Sequence, residues 1–206
     1  MVQQHLTTVN AVVQIVPAAS MPDDTVALFS DEQHTTEIAQ IRFRRQKKAD
    51  ENGHRLSLTD YVAPQQYHDH IGMFVGTAGI RLKQHTDQLM ADGNDYEAIM
   101  MKLLADRLVE ALSEWLHQKV RTEIWGYDPT ENQTPLQLIR GNYRGVRPAI
   151  GYPADPDHEH KRIVFDILKA KKNTGVELTE TMGMNPAASV CGYYFANSKA
   201  RYINVL

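Results

Sequence analysis

The feature that most constrains this chain is the stretch 95–125. Its apolar residues fall at 96, 99/100, 103/104, 108, 111/112, 115/116, 120 and 124, the spacing of an amphipathic helix of about eight turns. Asn94 or Asp95 can cap its start and Gly126 can end it. A helix of that length must lay its apolar stripe on something, so the rest of the chain has to supply a sheet or further helices. On one stripe Asp106, Glu110 and His117 stand at i, i+4 and i+11, which lines two carboxylates and an imidazole along one side. Solvation explains most such stripes, and composition alone leaves the choice between solvation and function open.

Around this helix the pattern reads as strands. Residues 11–16 are an apolar run closed by Pro17, and 22–24 form a turn. Segments 25–29 and 35–43 predict a hairpin, because Ala39, Ile41 and Phe43 alternate with Gln40 and Arg42. A short element at 58–64 stops at Pro64. The strand 71–77 is punctuated by Gly72 and Gly76, with Gly79 beyond, but it carries neither the Lys-Ser/Thr of a P-loop nor G-x-G-x-x-G. These glycines read as close backbone packing. Asp155-Pro156 supplies an N-cap and a first-turn proline for a helix over 156–172, with Ile163, Val164, Ile167 and Leu168 inward. Segments 176–182, 189–195 and 201–205 read as three final strands, and 1–10 as an irregular N-terminal arm. The fold class is therefore α+β: a single domain over 1–206, mainly an antiparallel twisted sheet, with one long and one medium helix packed on it.

Several functions are excluded at this level. The formal net charge of −3 implies no bulk attraction to nucleic acid or to an anionic membrane. The cations at 42, 44, 45, 47 and 48 lack the interleaved aromatics of a base-stacking surface. No apolar run approaches the roughly 18–20 residues of a membrane span. The first residues have no Lys or Arg ahead of their apolar stretch, unlike a secretory leader, and a cytoplasmic protein is expected. The one cysteine, Cys191, can form neither an internal disulfide nor a multi-thiolate zinc site, and inside an apolar strand it reads as an inert small hydrophobe. His68-Asp69-His70 and His158-Glu159-His160 offer ligands at i and i+2, which share a face only on a strand. Neither segment reads as one, no third ligand is evident, and no metal is expected. No catalytic residue is assigned.

Residues 141–158 invite a different chemistry. Gly141, Gly145, Gly151, Pro148, Pro153 and Pro156 preclude a regular helix or a central strand. Backbone left free in this way suits the edge of a purine. Arg147 offers a planar fork to a carboxylate, and Tyr143 and Tyr152 offer ring faces to a cation. A ligand carrying a carboxylate, an adenine and a sulfonium would use all three.

Three segments then become specific: Leu103-Leu-Ala-Asp-Arg-Leu-Val-Glu-Ala111, Arg147-Pro-Ala-Ile-Gly-Tyr-Pro153, and Leu178-Thr-Glu180 through Ala188-Ser-Val-Cys-Gly-Tyr-Tyr-Phe195. In this order, with 60–64 and 125–127, they closely resemble the C-terminal activation (reactivation) domain of cobalamin-dependent methionine synthase, from about residue 11 onward. The resemblance implies a module that binds S-adenosylmethionine and docks over a cobalamin-binding domain or subunit whose cofactor has been oxidised to cob(II)alamin. An electron from flavodoxin or a flavoprotein reductase and the ligand's methyl group then regenerate methylcobalamin. By position it assigns Arg147 to the ligand carboxylate, with Ala149, Gly151, Tyr152, Tyr202 and Ile203 as further ligand contacts. Asp106, Glu110 and His158 become docking or ligand-adjacent residues.

The departures from the family are also definite. Its Glu six residues before the loop arginine is Gly141 here, and its Cys before Pro156 is Asp155. The resemblance also implies an N-terminal segment, with an acid for the ligand's ammonium, and a C-terminal tail, and the module is expected to lack both. An acid placed at 141 is expected to tighten binding if that residue has a negative φ. Two readings follow: an S-adenosylmethionine-binding activation module with no turnover of its own, or a non-catalytic binding or assembly protein on the same fold with a decayed or redirected site.

Overall fold

The computed structural model describes residues 6–206. In chain order the elements are β1 (Thr8–Ser20), β2 (Thr25–Phe29), β3 (Glu37–Arg42), β4 (Asp69–Ile80), α1 (Leu82–Ala91), α2 (Asp95–Lys119), α3 (Pro135–Ile139), α4 (His160–Leu168), α5 (Ala170–Thr174), β5 (Glu177–Leu178), β6 (Met184–Asn185) and β7 (Ser189–Tyr194). Strands β3-β2-β1-β4-β7 form one sheet in that order, every neighbouring pair antiparallel. The architecture is the expected α+β.

Period-two alternation divides the sheet into two buried faces. Ile71, Met73 and Val75 of β4, with Cys191 and Tyr193 of β7, join a core closed by Val164 and Leu168 of α4. The intervening Phe74 and Tyr194 face the other way, against Leu116 near the end of α2 and Val120 just beyond it, their rings stacked at 4.7 Å. Burying one such aromatic or aliphatic side chain contributes about 1.5–3 kcal/mol, so both helical layers are held by ordinary hydrophobic contact. Glycines serve close approach as expected. A Cβ on Gly72 would lie 2.8 Å from Cβ of Tyr194, and one on Gly79 2.6 Å from Cβ of Pro186.

Helix α2 starts where expected and continues through a π-helical turn, Val120–Ile124, to Gly126 at φ +70. Its buried side is not the expected one. Ala98, Met101, Ala105, Val109, Ser113 and Leu116 face inward, while Tyr96, Ile99, Leu103, Leu104 and Trp115 are exposed. Small side chains let the helix lie close to the sheet and to α1, and the bulky apolar ones are left outside.

Other expectations are corrected. Residues 8–10 belong to β1 and are not an irregular arm; 1–5 lie outside the described residues. Pro17 does not end the first strand, because β1 pairs with β2 only from Ala18 onward and a missing donor at the margin of that ladder is tolerated. Helix α1 was not anticipated: with only Leu82 and Thr86 buried, its apolar signal is too sparse to register. The expected helix 156–172 starts later and breaks into α4 and α5 at Lys169, whose φ is +47. Asp155 does not cap it; its carboxylate is buried against His160 Nδ1 at 2.9 Å. Of the three final strands, 189–195 forms β7 and 176–182 shrinks to β5. The segment 201–205 is irregular, pinned by burial of Ile203 and Val205.

Candidate ligand-binding site

Strand β7 is an edge strand of the sheet, and the Gly/Pro loop lies along it. Val146 and Phe195 exchange backbone hydrogen bonds at 3.1 and 3.0 Å; Ile150 N–H donates to Cys191 O at 3.1 Å and Tyr193 N–H to Pro148 O at 3.0 Å. The loop thus pairs as an irregular extra strand. It comes so near that a Cβ on Gly192 would lie 2.3 Å from Pro148 O. The chain then reverses between Gly151 and Asp155, where Gly151 N–H donates to Asp155 O at 2.7 Å.

Between this loop and α2 lies a cavity of about 780 Å³. Asp106, Glu110 and Glu114 of α2 form one wall; Arg147, Ala149, Gly151 and Tyr152 form the opposite one, with His158 and Lys161 at one side and Ser189 to Cys191 as floor. The volume is within the range of small-molecule sites. Arg147 is largely buried, its side chain 14% exposed. One Nη donates to the Glu114 carboxylate, while its buried Nε has no partner. An orphaned guanidinium donor beside a cavity is a site waiting for an acceptor. Tyr202 reaches the loop from the C-terminal segment, its hydroxyl accepting from Arg147 N–H at 3.2 Å.

Behind the loop the chemistry changes. His117 is fully buried, stacked on Tyr194 at 5.0 Å and meeting Tyr143 edge-on at 5.0 Å. Burial, followed by the charges of Arg121 and Arg147, holds its pKa well below the usual histidine value. Arg121, in the π-turn, forms a bidentate ion pair with Glu131, both side chains at most 1% exposed, and its guanidinium lies 4.0 Å from the Tyr143 ring centre. Burial pushes the Tyr143 phenol up to about 12 and the Cys191 thiol, on the cavity floor, also up to about 12. Neither supplies a nucleophile near neutrality.

Of the residues singled out in the sequence, Arg147, Ala149, Gly151, Tyr152, Asp106, Glu110 and His158 meet at this cavity. Tyr202 touches it through the loop backbone. Ile203 does not, since its side chain is in the core. His117 shares the stripe of Asp106 and Glu110 but is roofed over. Gly141 is exposed and off the cavity wall, at φ +71. The negative φ that an acid there required is absent, so glutamate would be strained. Sequence reasoning missed Glu114, one turn beyond Glu110, and Lys161, whose burial no local pattern marks. Of His68-Asp69-His70 only Asp69 and His70 enter a strand, β4; His68 precedes it in a left-handed conformation at φ +49, so the two histidines do not share a strand face, and the Asp69 carboxylate accepts from the amides of Ala63 and His70. Among the described residues no group of three or more His, Cys, Asp or Glu is placed to hold a metal, and no helix is long and apolar enough to cross a membrane.

The family model described as vitamin B12 dependent methionine synthase, activation domain, matches residues 1–206. The chain belongs to that family. A solved structure of the MetH reactivation domain bound to AdoHcy is 39% identical, with a TM-score of 0.94. The match covers 98% of this chain and 63% of the solved one, so this activation domain spans less than two thirds of that relative's length.

Proposed function

We infer that this activation domain binds S-adenosylmethionine in the α2–loop cavity and serves the reductive remethylation of a cobalamin carried by another domain or chain of a methionine synthase. The observation that carries the reading is Arg147, a largely buried arginine with an unpartnered Nε on the wall of a ligand-sized cavity. Its planar donors suit the amino-acid carboxylate of the ligand. Glu114, 56% exposed, is free to swing aside or to turn toward the ligand's ammonium. The loop backbone at Ala149 and Gly151 and the ring of Tyr152 line the space where adenine and sulfonium would lie. Asp106, Glu110 and His158 are exposed where they line the cavity, and a cobalamin-bearing domain would dock against them. Bound S-adenosylmethionine would supply the methyl group; this chain's residues hold and orient it. Flavodoxin or a flavoprotein reductase supplies the electron in this reading, which places the protein in the cytoplasm.

Calorimetric titration with S-adenosylmethionine and S-adenosylhomocysteine tests this directly. Saturable binding of both supports the reading. No heat and no shift in melting with either ligand would favour a binding or assembly protein whose site has been redirected.

A further inference from the structure

One buried cation at the cavity has no role in that account. Lys161, in the first turn of α4, is 4% exposed, and none of the described carboxylates lies within ion-pairing distance. Its ammonium makes two contacts, 2.9 Å to Met182 O and 2.9 Å to His158 Nδ1. An ammonium donates and cannot accept, so the Nδ1 facing it must be unprotonated. The neutral ring then carries its proton on Nε2. A second restraint fixes the ring's place: a Cβ on Gly151 would lie 2.5 Å from His158 Cε1 and 3.0 Å from Nε2, so the imidazole sits directly on a bare α-carbon at φ +94. His158 is itself exposed, at the side of the cavity mouth.

We propose that Lys161 is a positioning residue that locks His158 as the Nε2–H tautomer, giving the cavity mouth a fixed hydrogen-bond donor for an acceptor nitrogen or oxygen on the docking partner. The ion-free burial of Lys161 has a purpose on this view. A carboxylate beside His158 would instead accept from Nδ1–H and invert the ring, whereas an ammonium selects the outward donor. The part played by the partner rests on the function proposed above; the tautomer does not.

The test is a two-bond 15N–1H correlation of the His158 ring at a pH where it is neutral. Wild type should show one unprotonated Nδ1 and one protonated Nε2. Lys161→Met should move both nitrogens toward averaged values, and Lys161→Arg, which also can only donate, should restore the pattern. A protonated Nδ1 in wild type, or the same ring shifts in a folded Lys161→Met, overturns the proposal. Should Lys161→Met fail to fold, cross-relaxation between the buried Lys161 ammonium and His158 Hε1 in wild type decides in its place: its presence supports the contact and its absence refutes it. In a docking assay with a cobalamin-loaded methionine synthase fragment, His158→Gln, whose amide nitrogen mimics Nε2–H, should retain affinity. His158→Asn should lose about tenfold, and equal loss in both refutes the donor role. If even the wild type fails to dock, the proposed function is at fault, and the ring spectra still judge the tautomer.

Discussion

Two lengths of one stripe on α2 share a direction and little else. Asp106 and Glu110 are exposed on the cavity wall, whereas His117, two turns on, is fully buried, with Arg121 in the π-turn beyond it. From Asp106 to His117 the helical spacing is regular. What differs is that residues 127–147 fold back over the second length, placing Tyr127, Tyr143 and the Glu131 carboxylate on it. A helical address sets where a side chain points; the returning chain sets whether that direction is solvent or interior.

The comparison can be broken most severely from the buried end. Glu131→Ala leaves the Arg121 charge inside without its partner, and the expected loss is about 3–5 kcal/mol, read as a fall in melting temperature or denaturant midpoint. A loss below about 1 kcal/mol, the range of exposed pairs, would show that this length of helix is wetter than its burial indicates. At the cavity, Arg147→Ala should weaken S-adenosylmethionine binding by about 1.5–3 kcal/mol, and Arg147→Lys should rescue little of it because a point charge does not reproduce the fork. Equal titration curves for wild type and Arg147→Ala would remove that residue from the site.

Acid separates the two lengths more gently. His117 has a folded pKa depressed below its unfolded value near 6.5, so its neutral form is favoured in the fold. The stability it allows is complete above about pH 6.5 and declines as pH falls, by up to about 1.4 kcal/mol per unit while only the unfolded chain takes up the proton. His160 has the opposite sign. Burial is the largest single influence and works against its charge, but the Asp155 hydrogen bond together with the negative charges of Asp155 and Asp157 outweighs it and raises the pKa. Its contribution is complete below the unfolded pKa and is lost as pH rises through the folded one. Melting curves of His117→Phe should therefore show a shallower acid loss than wild type. The smallest effect belongs to the exposed end: Asp106→Asn and Glu110→Gln should change stability by no more than about 0.5 kcal/mol. A larger melting shift in either would mean that the cavity wall is part of the fold's support.

The sheet was legible because alternation is a short-range property. Ala39 and Ile41 alternating with Gln40 and Arg42 announce a strand whatever lies across from them. The extent of α2 was legible for the same reason, but its inward side was not. Periodicity weights Tyr96, Ile99 and Leu103 by hydrophobicity, while Ala98, Ala105 and Ser113 are buried because they are small enough to permit close approach. The candidate site was readable where it is carried by one continuous segment, 147–152. It was unreadable at Glu114 and Lys161, whose significance depends on Arg147 and His158 arriving from other parts of the chain. Asp155-Pro156 misled for a related reason: an N-cap signal is also a buried acid if a histidine five residues on turns back to it.

The pairing of 146–150 with β7 has a consequence for how this region can breathe and change. A recognition loop that hangs free can fluctuate, lengthen or be cut without disturbing the domain that bears it. Here Ile150 N–H and Tyr193 N–H are bonds of one ladder, so the loop can open only with the sheet margin, and their amides should exchange with solvent water as slowly as those of β7. Insertions are tolerable in the exposed reversal at 152–153 and not within 146–150. Such an insertion would uncover the row of donors and acceptors on β7, an invitation for strands of other molecules to add themselves.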